Sequence, residues 1–536
     1  MSARPTGRAE TLLGLAALAG AAGFLVARLA PAVGSKPLVE DEAVAGLISV
    51  RPIGEVLDTV LTERGGSPLH FVLAHFALAA DTSPDALRWL SVVFALAAVF
   101  LTYDLARRLA GPVAGGAAAI VTATSTVLGV YGSFGRMYAL FAAAAALALD
   151  LFVIALRRRT VGSAVAAAAA AALLPAVHPY GAILLAAEGV VAAVLWRGHG
   201  VRRAAPVIAV GLLGVPFVVA NLRLAERYSV GVGDGERLAS PGRAWSQLTR
   251  ALGSFAGGHG PLVLVFVLLA AAGLVLVARR EPFLGLLAAI MFVTPPILLA
   301  IATTEADPAL SPRHLVFLLP LWAALVGVAV ARLGERGPFV SAAALVALAV
   351  LAVVAPAGGV TDPRDRPDAI LGGGPPETAL GGDPVHAPAE FVRQKVQPGD
   401  LLFPYSPVFL AALPESARAT SLPPVEASVM RRAIDRVPQE PGALFVVVPM
   451  DYFIDMRRVS DALGPGADVQ SYGGGFPGGW LIIRLGGPFA NPRTVLSEAA
   501  RLLETTLRIA RPPAGSEVEY YLRSNIAGLR GALNSE

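Results

Sequence analysis

The apolar and polar positions of this chain alternate on the scale of whole membrane spans. Up to about Pro356 the sequence is a succession of apolar windows of about 17 residues or more, enough for a helix to cross a hydrocarbon core of roughly 30 Å. Short polar joints separate them. Beyond Pro356 the windows stop and Pro, Gly and Asp crowd the chain. The pattern predicts a membrane domain over 1–356 and a water-exposed domain over 357–536.

Basic residues collect at the cytoplasmic ends of spans, and one topology places every arginine cluster there. The first span, about 11–32, leaves Arg4 and Arg8 inside and is read as an uncleaved helix, because no cleavage pattern stands after its long apolar run. Spans at about 87–106 and 112–130 follow, then one running down to Arg157-Arg158-Arg159 and one rising over about 161–177 to His178-Pro179-Tyr180. The next returns to Arg197, Arg202 and Arg203; one at about 204–221 leads out, and one ends at Arg279-Arg280. The last three emerge near Thr303, return from Ser311-Pro312-Arg313-His314 to Arg332 and Arg336, and cross at about 338–355. The expected fold class is thus a polytopic α-helical membrane protein of about 11 transmembrane helices with a small C-terminal extracytoplasmic α/β domain. Two exterior loops stand out, 34–86 and 222–260. The first holds the apolar piece Pro68 to Ala80, too short to span and read as an interfacial or re-entrant helix carrying His70 and His75.

In the C-terminal segment Leu401 to Tyr405, Ala443 to Pro449 and Trp480 to Leu485 read as strands, and Ala387 to Lys395 and Thr494 to Arg511 as helices. No P-loop, dinucleotide fingerprint or metal-ligand spacing occurs there, and Gly473-Gly474-Gly475 is a loop without a following helix. This domain reads as a binding or positioning module.

Composition agrees with the pattern: the 536 residues are 55% hydrophobic and 15% charged. With no cysteine there is no disulfide framework, thiolate metal site or cysteine nucleophile. The net charge of +4 is arginine at membrane flanks, which argues against a nucleic-acid partner. Lysine occurs only at Lys36 and Lys395, as in a GC-rich bacterial genome.

The candidate chemistry lies on the exterior side. Glu40-Asp41-Glu42 follow the first span; an acid there is a solvated rim charge or a group facing a cavity, where it acts as a base or holds a hard cation. Arg136 beside Tyr138, and Arg313 beside His314, offer guanidinium forks suited to phosphate oxygens; the alternative is snorkelling. His70, His178 and Tyr180 are candidate substrate contacts, with a structural histidine or a proline-broken helix end as the alternative. Glu188 lies inside a span, where an acid is costly unless paired, facing a cavity or protonated. Asp104 and Asp150 sit beside cytoplasmic arginines and need no functional account.

In order, Asp41-Glu42, Pro68-Leu69-His70, Arg88-Trp89-Leu90-Ser91, Tyr103 to Leu109, Arg136-Met137-Tyr138 and Pro312-Arg313-His314 resemble the glycosyltransferase-C class. Within it the resemblance is to the protein mannosyltransferase and aminoarabinose transferase type, over about Thr11 to Pro356. The resemblance implies a plasma-membrane enzyme transferring a sugar from a polyprenyl-phosphate donor to an envelope glycan, lipid or protein. It implies Asp41 as base and Arg136 and Arg313 on the carrier phosphate, with Tyr138 and His314 beside them, and Glu42 then reads as the base's orienter or an acceptor contact. Several relatives carry an acid in the second exterior loop, where this chain has Arg136-Met137-Tyr138, so use of a divalent cation, magnesium or manganese, stays open. A lipid or polysaccharide transporter and a non-catalytic membrane scaffold remain the rival classes.

Overall fold

The computed structural model describes residues 7–33, 40–62, 66–81, 83, 85–196, 201–228, 249, 252–256, 261–302, 312–354, 386–403, 437–450, 456–472, 479–512 and 517–534. The long loop 222–260 beyond Tyr228, save 249 and 252–256, lies outside them, as do the linker after Pro356 and the glycines 473–475. By contact the chain divides into two units: Met1–Ser35 with Ile48–Asp362, and Lys36–Leu47 with Pro363–Glu536.

The first unit is helical: α1 (Arg8–Leu29), α3 (Ile53–Thr62), α4 (Leu69–Ala80), α5 (Asp85–Ala110), α6 (Pro112–Thr124), α7 (Thr126–Tyr131), α8 (Tyr138–Arg158) and α9 (Val161–Val177) come first. Then come α10 (Gly181–Trp196), α11 (Val201–Leu212), α12 (Val215–Tyr228), α13 (Pro261–Arg280), α14 (Pro282–Ala302), a 3-10 segment (Pro312–Leu318), α15 (Leu319–Gly334) and α16 (Pro338–Val354). α2 (Glu40–Ser49) begins in the second unit. Among the described residues six helical stretches are long and apolar enough to cross a membrane: Arg8–Ala32, Asp85–Ala110, Tyr138–Arg158, Ala204–Arg223, Val263–Arg280 and Arg313–Gly334. The other expected spans fall on the shorter apolar helices Pro112–Thr124, Val161–Val177, Gly181–Leu195, Pro282–Thr294 and Pro338–Val353. The 12 residues of α4 cover about 18 Å, too little to cross.

The bundle is built around α6, every residue of which is buried. Its Ala and Gly side chains let neighbouring backbones come close, the device by which helices associate where lipid removes the hydrophobic drive. A Cβ on Gly116 would stand 2.8 Å from the Ala17 Cβ of α1, and one on Gly327 of α15 2.3 Å from the Ala114 carbonyl oxygen.

Two expected helices are broken. The span expected over 112–130 stops at Ser125, whose extended backbone (φ −56°, ψ 139°) separates α6 from α7. Arg28 Nη1 donates to the Thr124 and Ser125 carbonyls at 3.4 and 3.3 Å, and the Ser125 hydroxyl donates to the Thr122 carbonyl at 2.8 Å, so the break leaves these acceptors satisfied. The span expected over 204–221 bends between α11 and α12 at Leu213-Gly214. The loop expected over 34–86 holds three helices, α2, α3 and α4.

In the second unit a sheet of order β1-β2-β4-β3 comprises β1 (Leu401–Phe403), β2 (Leu444–Met450), β3 (Ala467–Tyr472) and β4 (Gly479–Leu485). β1 and β2 are parallel and the other pairs antiparallel. Alternate residues of β2 face opposite cores, which explains its unbroken apolar run. Val446 and Val448 pack with Leu496 and Leu503 of α19 (Pro492–Ala510) and Leu522 and Leu529 of α20 (Glu517–Asn534), while Phe445 and Val447 pack with Ala389 and Val392 of α17 (His386–Lys395). α18 (Met456–Leu463) adds Val459 to the first core. Leu47 of α2 packs on the second core.

Candidate functional site

The turn between α7 and α8 carries the first expected arginine. Ser91 of α5 donates to the Phe134 carbonyl at 2.6 Å, and the Arg136 amide donates to the same oxygen at 2.6 Å. This gives the Arg88-Trp89-Leu90-Ser91 stretch a role: it holds the turn from which half-buried Arg136 projects. Tyr138 then opens α8.

A second anchor fixes the start of α4. Pro179 has no amide hydrogen to offer the Pro175 carbonyl four residues earlier. That oxygen instead accepts from the Ser67 hydroxyl at 2.8 Å and from Asn221 Nδ2 of α12 at 3.2 Å, and Ser67 also lies 3.1 Å from Asn221 Oδ1. Gly66, at φ 70°, makes the turn possible: a Cβ there would meet Asn221 Oδ1 at 2.7 Å. The anchored turn leads through Pro68 into α4 and places His70 under the Arg136 turn, its Nε2 donating to the Gly135 carbonyl at 3.3 Å.

Six of the expected residues meet in one aromatic, cationic cluster. His178, in the turn after α9, has its ring centre 6.1 Å from Tyr138, 5.4 Å from Tyr180 and 5.6 Å from His314. Tyr180 lies 5.6 Å from His314, and the Arg313 guanidinium stands 5.8 Å over the Tyr138 ring. Phe141 stacks on His178 at 4.8 Å and touches Phe317 at 5.1 Å, closing the apolar side. Arg313 and His314 come from the 3-10 segment rather than from the first turn of an α-helix.

His178 Nδ1 accepts from the Tyr180 amide at 3.2 Å, so its proton sits on Nε2. Burial, then the charges of His314, Arg136 and Arg313, hold its pKa well below the ordinary value. The imidazole is neutral, and both arginines act on it. Two guanidinium groups beside neutral, hydrogen-bonding rings suit an anion with polar substituents.

The acids stand differently. Asp41 lies in the first turn of α2, but its side chain is outside the described residues. Glu42 is fully buried, and the stretch holding both groups with the second unit. Acids in a helix's first turn complement the macrodipole, so part of their reason is structural; burial of Glu42 sets it apart from a solvated rim charge. Among the described residues no three His, Asp or Glu groups form a metal cluster. The donors of the Arg136–Arg313 cluster repel a cation and do not fit one. Glu188 is buried in α10, its Oε1 without a hydrogen-bond partner among the described residues.

Sequence reasoning passed over Arg28, Ser67, Asn221, Phe71, Phe141 and Phe317. The proline pair at 175 and 179 was a usable signal for Ser67 and Asn221, because an orphaned carbonyl must find a donor; the phenylalanines carry no signal apart from any apolar helix.

No protein-family model matches the chain, and no curated protein sequence does. Among solved structures, ArnT from Cupriavidus metallidurans in the apo state superposes with a TM-score of 0.57 at 16% identity, covering 89% of this chain and 99% of that one. The oligosaccharyltransferase of Archaeoglobus fulgidus in the apo form gives 0.49 at 13% identity, covering 81% and 69%. AglB of the same organism, with an inhibitory peptide and a dolichol-phosphate, gives 0.48 at 12% identity with the same coverage. The chain shares the fold of ArnT over most of its length.

Proposed function

We propose that this chain is a membrane glycosyltransferase that moves a sugar from a polyprenyl-phosphate donor to a hydroxyl of an envelope glycan, lipid or protein on the outer face of the plasma membrane. The observation that carries the reading is the meeting of Arg136, Arg313, Tyr138, His178, Tyr180 and His314 in one cluster. The ArnT fold adds to it.

In the proposed reaction the acceptor oxygen attacks the anomeric carbon, the bond from that carbon to the phosphate oxygen breaks, and its electron pair leaves on polyprenyl phosphate. The configuration inverts. Charge grows on the leaving phosphate, and Arg136 and Arg313 stabilise it by charge-assisted hydrogen bonds that strengthen as the bond breaks. The acceptor's proton passes to Asp41, with Glu42 orienting. His178 stays neutral in the reaction and, with His314, Tyr138 and Tyr180, gives the sugar a hydrogen-bonding, ring-lined wall. No step is assigned to a metal ion.

The test is release of polyprenyl phosphate by purified protein in lipid nanodiscs given polyprenyl-phosphate sugars and a membrane-envelope extract. Release with label appearing in the extract is expected. Absence of release with every donor would sink the reading in favour of a transporter or scaffold.

A further inference from the structure

The transferase reading leaves the buried His70 of the first unit unused. His70 is 1% exposed, and its Nε2 lies 3.3 Å from the Gly135 carbonyl. A carbonyl only accepts, so Nε2 carries the ring proton and Nδ1 is left as a bare acceptor. That Nδ1 is buried with no hydrogen-bond partner among the described residues. Arg136 follows Gly135 directly, and its Nε is also buried with no hydrogen-bond partner among the described residues. Its guanidinium stands 5.7 Å over Phe71, whose ring in turn meets His70 edge-on at 5.8 Å. One small region therefore holds an unmet acceptor and an unmet donor, both fixed by packing. Leaving either unpaired is costly, and folded proteins keep such groups chiefly where a ligand or water completes them.

We propose that His70 and Arg136 form a two-point site for a phosphate ester with a hydroxyl on the adjacent carbon, Arg136 Nε donating to a phosphate oxygen and His70 Nδ1 accepting from the hydroxyl. This deepens the transferase reading and rests on it. A bare phosphate dianion has no hydrogen for Nδ1, and a cation is repelled by Arg136. A sugar 1-phosphate has both parts, its 2-hydroxyl being the one nearest the phosphate. Burial, then the Arg136 charge, lowers the His70 pKa to about 3, partly offset by the bond to Gly135. The ring therefore accepts a hydrogen bond without taking the proton, and His70 is a positioning residue rather than a base.

The test measures affinities of the full-length protein in nanodiscs for polyprenyl phosphate, for its arabinose, mannose and glucose esters, and for their 2-deoxy forms. The sugar bound best should lose about tenfold on removal of its 2-hydroxyl. His70→Leu should abolish that difference and leave bare polyprenyl phosphate unaffected. His70→Asn, whose amide oxygen replaces Nδ1, should restore part of it. Equal loss for every probe in His70→Leu would make the residue structural, and wild-type indifference to the 2-hydroxyl would assign Nδ1 to water; either overturns the proposal. Failure of wild type to bind any probe would instead remove the transferase reading itself.

Discussion

Replacing Arg313 by alanine tests the phosphate clamp where its geometry is best defined. The guanidinium is half-buried, comes from a 3-10 segment packed on α8, and lies 5.8 Å over the Tyr138 ring. Two effects follow from its loss. A charge-assisted hydrogen bond to a phosphate oxygen contributes about 1.5–3 kcal/mol, or roughly 10- to 150-fold in affinity. The cation–π contact, about 0.5–1 kcal/mol at a partly exposed site, also goes, loosening Tyr138. Arg136 remains, so binding of polyprenyl phosphate in nanodiscs should weaken by one to two orders of magnitude without vanishing. Arg313→Lys keeps the charge but not the fork and should recover part of the loss. The substitution also removes one of the charges depressing His178, so the imidazole should titrate higher. Unaltered affinity in Arg313→Ala and in Arg136→Ala, both folded by thermal melting, would refute the clamp.

Acidification should destabilise the protein through its buried imidazoles. His70 and His178 have lowered pKa values when folded, so their stabilisation is complete above the unfolded value near 6.5 and is lost as pH falls from there towards the folded values. Melting followed from about pH 7 to about pH 4.5 should show a falling midpoint, less steep in His178→Gln; a flat wild-type profile would contradict the neutral rings. Ser67→Ala should cost about 1–3 kcal/mol by leaving the buried Pro175 carbonyl with fewer donors, measured by thermal unfolding. Gly66→Ala should be worse, since φ 70° is strained with a side chain and its Cβ would collide with Asn221; wild-type stability in either variant would count against the anchor under α4. Reporters fused after Arg336 and after Glu536 should give opposite signals, and matching ones would overturn the arginine-based orientation.

What could be read from the sequence was whatever rests on local pattern. α8, ending at Arg157-Arg158, and α13, ending at Arg279-Arg280, show in the apolar windows because composition alone decides them. So does β2, buried on both faces. The break at Ser125 was not legible: no proline marks it, and what makes it tolerable is Arg28, nearly a hundred residues away in sequence. β3 was missed because Ala467 to Tyr472 is a half-exposed edge strand without an apolar run. Of the site, Arg136, Arg313 and His178 stood out as polar residues at span ends. Their meeting did not, because two separate turns and a 3-10 segment supply them, and only tertiary packing sets those registers.

The assignment of the base is tested by Asp41→Asn, which keeps size and hydrogen-bonding reach but cannot take a proton. The argument for Asp41 combines its position in the first turn of α2, the burial of its neighbour Glu42 and the resemblance in motif order. A first-turn acid that served only the helix dipole would contribute about 0.3–1 kcal/mol to stability and nothing to turnover. A general base contributes about 10²- to 10⁴-fold to the chemical step. The two roles therefore separate in one experiment. Sugar transfer should fall by at least two orders of magnitude in Asp41→Asn, while melting temperature and affinity for polyprenyl phosphate stay near wild type, because the arginine clamp is untouched. Glu42→Gln should reduce transfer less, since an amide still orients by hydrogen bonding. Near-normal turnover in purified Asp41→Asn would remove Asp41 as the base. His70, held neutral by a pKa of about 3, is a poor replacement, so the search would then turn to Glu40 and Glu42, the other acids of α2.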